Sequence, residues 1–220
     1  AVSTLAAPRP PFAGIDISRP VVMGVVNVTP DSFSDGGDFF DVDRAIDHAL
    51  RLADEGATII DIGGESTRPG ADPMSVADEI DRVLPIVEAV LAQGVTVSVD
   101  TRRSAVMRAV IEAGAQIIND ITALTDDPEA PGVVAASDAS VVLMHMQGTP
   151  ETMQHAPVYR LASHDIFNWL AARVDICVAA GIPLGRIAVD PGIGFGKTDT
   201  HNMEILQRVG AFHGTGCAVA

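Results

Sequence analysis

Six short apolar runs recur along the chain, and each closes on polar or glycine residues before helix-period sequence begins. They are VVMGVVNV from Val21, TIIDIGG from Thr58, VTVSVD from Val95, AQIINDI from Ala115, SVVLMHM from Ser140 and RIAVDPG from Arg186. Strands so continuously rich in Val and Ile have no face to give to water, as in a parallel sheet covered on both sides. Parallel strands need a crossover between them, and the intervening segments have helical periodicity. Val42, Ala45, Ile46, Ala49 and Ala53 line the first helix, with Gly56 as its stop. Ile80, Val83, Leu84, Val87 and Leu91 line the second, which starts at Ser75 or Asp78, stops at Gly94 and carries Pro85, a residue that kinks helices. Further helices are expected from Arg103 to Glu112, after Pro131, from Leu161 to Ala180, and from Thr200 with Met203, Leu206 and Val209 on one face.

Six βα units in series, with no low-complexity tract or linker between them, predict a single α/β domain over residues 1–220. Such units build either an open doubly wound sheet or a closed (β/α)8 TIM barrel. Polar residues decide between them. Asn27, Asp61, Asp100, Asn119, His145 and Asp190 all fall at or just past a strand end. A closed barrel gathers them at the face where barrel enzymes carry their active sites, whereas an open sheet strings them along an edge. The sequence covers six βα units, and Cys217 to Ala220 reads as the start of the seventh strand. The domain is therefore expected to be C-terminally incomplete, and unpaired strand edges would leave this polypeptide alone unstable or inactive.

The charge balance limits the partners. Fourteen Lys and Arg against 29 Asp and Glu leave a formal charge of −15, which excludes an unassisted binder of nucleic-acid phosphates. Only Cys177 and Cys217 are present, without C-x-x-C spacing, so neither a disulfide framework nor a zinc ribbon is supported. No apolar run of membrane-spanning length and no export signal is visible, and a cytoplasmic location without membrane contact is expected. An acidic protein that handles an anion must build positive potential locally from Arg, Lys, backbone N–H groups or a metal.

Five groups of residues carry candidate chemistry. In GVVNVTPDSFSDGG, Asn27 at a strand end offers a neutral oxygen of the kind Mg²⁺ accepts alongside water and phosphate; an Asx turn in a surface loop is the alternative. Phe33 lies in the loop that follows, and Gly36-Gly37 could hinge it. In IDIGGESTRPG, Ser66, Thr67 and Arg68 before Pro69 form a credible anion clamp, or else a turn whose arginine pairs with Glu65 or Asp72. Asp100, Asn119 and Asp190 are three acceptors, each ending a Val/Ile-rich strand, and are suited to reading a flat heterocycle with several N–H donors, such as a 2-amino-4-oxo-pteridine or purine edge. Asp100 could alternatively cap a helix. DPGIGFGKT is not a P-loop, because Pro191 stands where glycine is needed. Its glycines still permit a tight loop with inward N–H groups, and Lys197 could meet an anion or pair with a neighbouring acid. His145 reads as a hydrogen-bonded structural histidine with catalysis or ligation as the alternative, and Met144 and Met146 as core residues that could border an aromatic ligand.

Taken together, MGVVNVTPDSFSDGG, IIDIGGESTRPGA, VSVDT, IIND, VLMHMQGTP and DPGIGFGKTxxHN resemble dihydropteroate synthase, the sulfonamide-targeted enzyme family of the folate pathway. The likeness runs from about residue 20 to residue 213, with six motifs in order. It implies a (β/α)8 barrel, a homodimer, and the condensation of 6-hydroxymethyl-7,8-dihydropterin pyrophosphate with p-aminobenzoate to give 7,8-dihydropteroate and pyrophosphate. It implies that Asp100, Asn119 and Asp190 hold the pterin, that Asn27 contacts Mg²⁺ with the pyrophosphate, and that Phe33, Thr67, Arg68 and Pro69 shape the p-aminobenzoate pocket. Gly194 and Phe195 would line its other wall, with Met144 and Lys197 also at the substrate. Asp100, Thr67 and Arg68 would carry the catalytic roles, and no nucleophile or strong general base is required. The family's Ser-Arg-Lys and Arg-x-His segments near the last two strands are not found here. A methyltetrahydrofolate-binding methyltransferase shares the pterin barrel but does not need the NVTPDSF and GESTRPG loops. A non-catalytic pterin-binding module is the alternative of another class.

Overall fold

The computed structural model describes residues 10–28, 42–65, 74–149, 152–153 and 155–220. Seven parallel strands form one sheet: β1 Met23–Asn27, β2 Ile59–Gly63, β3 Thr96–Asp100, β4 Ile117–Asp120, β5 Ser140–Met144, β6 Ile187–Asp190 and β7 Ala218–Val219. Their spatial order follows the chain, β1 to β7. Six α-helices are found among the described residues: α1 Val42–Asp54, α2 Val76–Leu91, α3 Ser104–Ala113, α4 Ala130–Ala135, α5 Ala162–Ala179 and α6 Asp199–Gln207. Every predicted strand and helix is present, with ends shifted by a few residues where the hydrogen-bonded ladder stops short of the apolar run.

Local sequence explains the boundaries. Ser75 caps α2 by accepting from the Asp78 backbone N–H at 3.1 Å. Gly56, Gly94 and Gly114 follow α1, α2 and α3 with φ of 111°, 73° and 109°, the left-handed turn that releases the last carbonyls. Pro85 lies inside α2 without ending it. Thr198 caps α6 in a capping box, accepting from the His201 N–H while the His201 ring accepts from the Thr198 N–H. The apolar face of Met203, Leu206 and Val209 in the α6 segment is exposed, and Ile205 is the buried residue of α6. Glu204 decides the direction, because its carboxylate accepts from the Ser163 N–H and hydroxyl at 3.0 and 2.7 Å and so turns this side of α6 toward α5.

Alternation along the strands builds two separate cores. Val26, Ile60, Ile62, Val97, Val99, Ile118, Val141, Leu143, Ile187 and Val189 point outward into the helix layer with Val83, Val87, Met107, Ile166 and Leu170. The inward residues Met23, Ile59, Ile117, Val142, Ala188 and Ala218 come from six different strands, yet they pack as one cluster around Phe12. First and last strands meeting in one cluster means that the sheet rolls on itself, so the (β/α)8 architecture is present through its seventh strand. The two edges, β1 and β7, are not hydrogen-bonded to each other among the described residues. A cavity of about 850 Å³ lies there, lined by Met23, Ile59, Val142, Ala188, Ala218 and the 12–21 segment. In that segment Phe12 and Ile15 pair as an isolated bridge, and Phe12, Ile15 and Ile17 press on the lower storey of the interior.

Candidate functional site

Above the apolar storey, the same inward faces turn polar. Register places Asn27 beside Gly63, Gly63 beside Asp100 and Asp100 beside Asn119, so residues of four consecutive strands stand in one row at the sheet's C-terminal edge. Gly63 is the gap in that row: a Cβ there would sit 3.5 Å from Asn27 Oδ1 and 3.7 Å from Asp100 Oδ2. Further round, Met144 pairs with Asp190. The structure therefore gathers Asn27, Asp100, Asn119, Asp190 and Met144 on one inner wall. His145 does not join them. Its neighbour Met144 takes the inward place, and the His145 ring packs edge-on to Trp169 of α5 at 5.0 Å and beside Tyr159 at 5.9 Å.

Electrostatics in the cup is dominated by carboxyl groups shielded from water. Burial pushes Asp100 well up, and the nearby carboxylates of Asp61 and Asp120 push it in the same direction. Asp61, a residue noted at sequence level but given no ligand role there, is almost wholly buried and is likewise raised by burial, with the Ser98 and Asn119 side chains opposing the shift. Asn119 Nδ2 donates to Asp61 Oδ2 at 2.9 Å, reaching across the inside of the curve past β3. Asp190 is raised by burial and held back by the Gly192 N–H, which donates to its Oδ1 at 2.7 Å, and by the positive charge of Lys197. Sequence pattern alone could not place Asp61 in this network, because the contact joins strands that are not neighbours and depends on curvature.

The loop after β6 is built against the end of β5. Gly192 has φ 69°, and a Cβ there would lie 2.1 Å from the His145 carbonyl oxygen; at Gly196, φ 61°, it would lie 2.9 Å from that of Gln147. Three N–H groups of this tight loop have partners within or beside it. Gly192 donates to Asp190, Gly194 to Asn202 Oδ1 at 3.0 Å and Phe195 to the Gly192 carbonyl at 3.1 Å. Lys197 is buried beneath the loop, where its ammonium donates to the carbonyls of Phe195 at 2.7 Å and His145 at 3.0 Å. Burial brings this lysine down to about 8 despite the pull of Asp190. Lys197 thus pins the loop that carries Gly194 and Phe195, and its charge reaches the cup through Asp190.

Cations following β3 are already committed. Arg102 pairs with Glu65 at 3.0 Å and Asp126 at 2.6 Å, and Arg103 pairs with Glu65 at 2.7 Å and the buried Glu79 at 3.0 Å. Thr101 donates its hydroxyl to Glu79 at 2.7 Å. Beyond β4, Asp120 accepts from the N–H and hydroxyl of Thr122 and the N–H of Leu124, holding Ala123 and Leu124 at φ 54° and 59°; Arg173 of α5 donates to both of their carbonyls. Phe33, Thr67, Arg68 and Pro69 lie outside the described residues. Among the described residues no cluster of three His, Cys, Asp or Glu side chains could hold a metal. The donor available at the cup is the neutral Asn27 oxygen, which fits an ion that takes most of its shell from water and phosphate, as Mg²⁺ does.

The arrangement is a cup of half-buried acceptors above an apolar floor, fit to hold a flat ring that donates several hydrogen bonds. The chain as a whole is similar to known proteins. The family described as "Pterin binding enzyme" matches residues 23–220. Dihydropteroate synthase of Escherichia coli K12 is 46% identical over 200 residues, covering 90% of this chain and 71% of that protein. The crystal structure of the Yersinia pestis dihydropteroate synthase with a sulfonamide drug complex superposes with a TM-score of 0.86 at 46% identity, over 93% of this chain and 74% of that one. The Xanthomonas albilineans enzyme with 4-aminobenzoic acid gives 0.87 at 45% identity, over 97% and 77%.

Proposed function

The chain belongs to the pterin-binding enzyme family, and from that membership we infer that it catalyses the dihydropteroate synthase reaction, joining 6-hydroxymethyl-7,8-dihydropterin pyrophosphate to p-aminobenzoate in folate biosynthesis. The observation that carries this reading is the meeting of Asp100, Asn119 and Asp190 on one inner wall of the rolled sheet. A pterin presents a row of N–H donors along one edge, and three half-buried acceptors suit that edge better than they suit any anion.

The pyrophosphate leaves with the electron pair of its C–O bond, and the arylamine nitrogen then attacks the pterin methylene and releases a proton. Asp100 is the counter-charge: its desolvated carboxyl gains most when positive charge develops on the adjacent ring, and in turn stabilises that charge. Magnesium bound at Asn27 would neutralise the departing pyrophosphate. Met144 borders the ring face, and Gly194 and Phe195 form the wall nearest the arylamine, on a loop anchored by Lys197. Thr67, Arg68, Pro69 and Phe33 are assigned to the p-aminobenzoate pocket on the family pattern, and sulfonamides would compete there, as the Yersinia pestis complex suggests. A homodimer acting in the cytoplasm completes the reading; among the described residues no helix is long and apolar enough to cross a membrane.

Calorimetric titration tests it. Binding of the pterin pyrophosphate should require Mg²⁺, and p-aminobenzoate should then be incorporated into dihydropteroate. Asp190→Ala should abolish pterin binding with the fold intact, while Arg68→Ala should weaken p-aminobenzoate use more than pterin binding. Pterin binding without turnover would favour a binding module instead, and unchanged affinity in Asp190→Ala would refute the pocket.

A further inference from the structure

Asp61 is a costly residue to keep where it is. It occupies the third position of β2, facing inward between Ile59 and Gly63, and only 4% of its surface is exposed. Its Oδ2 accepts from Asn119 at 2.9 Å, while its Oδ1 and the hydroxyl of Ser98, the residue opposite it on β3, form no hydrogen bond of full geometry, although Ser98 lies close enough to favour the charged form. A carboxylate buried this deeply, with one full hydrogen bond and a nearby hydroxyl, is weak evidence of a stabilising role. Its effect falls instead on Asn119. A carboxamide can sit in either of two orientations related by a half-turn, and these exchange a donor for an acceptor at the same point in space. Beside a carboxylate only one is favourable, since the other sets oxygen against oxygen. The –NH₂ therefore turns to Asp61, and Asn119 Oδ1 is left as the free acceptor.

We propose that Asp61 is a positioning residue for substrate recognition: by holding the Asn119 amide it fixes an acceptor, not a donor, toward the ring in the cup, and so selects a heterocycle edge that presents N–H groups. This rests on the reading of Asn119 as a pterin contact. Its selectivity has a definite sense. Without Asp61 the amide rotates freely, and the cup loses its preference for an N–H edge over an acceptor edge of the same shape.

The test is a set of variants of the intact protein, each titrated with 6-hydroxymethyl-7,8-dihydropterin pyrophosphate and assayed for KM of both substrates, with thermal melts as the folding check. Asp61→Ala is expected to weaken pterin pyrophosphate binding by about tenfold to a hundredfold while KM for p-aminobenzoate changes less than about twofold. Asp61→Asn keeps a hydrogen bond to the Asn119 amide but no longer excludes the flipped orientation, and is expected to bind more tightly than Asp61→Ala and more weakly than the wild type. Asn119→Asp should bind poorly with two carboxylates face to face. The exchange variant D61N/N119D restores the bond with donor and acceptor swapped and should recover at least about tenfold over Asn119→Asp. Wild-type affinity in a folded Asp61→Ala, or no recovery in the exchange variant, overturns the proposal. If Asp61→Ala does not fold, the comparison of Asp61→Asn and the exchange variant with Asn119→Asp decides. Wild-type affinity in Asn119→Ala would instead sink the underlying reading of Asn119.

Discussion

His145 and Lys197 share the wall behind β5 and β6, and the histidine sets part of the fold's response to acid. Burial, with the Lys197 ammonium adding to it, brings His145 from 6.5 down to about 3. Between those values the unfolded chain takes up a proton that the folded chain refuses, so this residue's contribution is complete above pH 6.5 and lost as pH falls toward 3. The gap corresponds to at most about 5 kcal/mol. In His145→Gln this part of the acid loss should vanish, read as a smaller drop in urea midpoint between pH 7 and 3.5 than in the wild type; equal drops would mean that the ring is protonated without strain in the folded state. The sequence pattern marked His145 as a strand-end residue but could not show its direction. Alternation sends Met144 inward and His145 outward, and the ladder's last register alone decides which of the two lands in the cup. Asp100, Asn119 and Asp190 were legible because each stands at the inward beat of its own strand.

At the level of elements, helix starts and stops are set by single side chains. Ser75 both accepts from the Asp78 N–H at 3.1 Å and donates to its carboxylate at 2.7 Å. Ser75→Ala should therefore destabilise α2 by about 1 kcal/mol, measured by urea unfolding; a change near zero would mean that packing of Val83, Ile86, Val87 and Val90 alone holds the first turn. These signals were readable, since a capping residue and a terminal glycine act within one turn of chain. The direction of α6 was not. Its apolar stripe of Met203, Leu206 and Val209 resembles a core face, yet the contact with α5 is made through Glu204 and Ile205, and a distant pair of hydrogen bonds to Ser163 outweighs local periodicity. The β6–α6 loop shows the same limit: its glycines announced a tight turn, whereas the partners of its N–H groups depended on where Asn202 and the Asp190 carboxylate came to rest.

For the molecule as a whole, the net charge of −15 opposes the approach of a pyrophosphate ester. The field reaches about 30 Å at 0.01 M salt and about 8 Å at 0.15 M. At constant free Mg²⁺, kcat/KM for the pterin pyrophosphate should therefore rise several-fold between those conditions, the reverse of an attractive system; a fall would locate a positive funnel over the mouth. Fold class was readable at this scale because a sheet buried on both faces leaves near-continuous apolar runs. The two-storey interior was not, since it follows from how far the sheet curls. Strand order has its own consequence. Each strand lies beside the one translated just before it, so a nascent chain can lay down β1 to β7 as it emerges from the ribosome, without waiting for a distant partner. Throughout synthesis the sheet keeps two bare edges, β1 and the newest strand, and it is at these, not in the paired wall between them, that a chaperone would find something to hold.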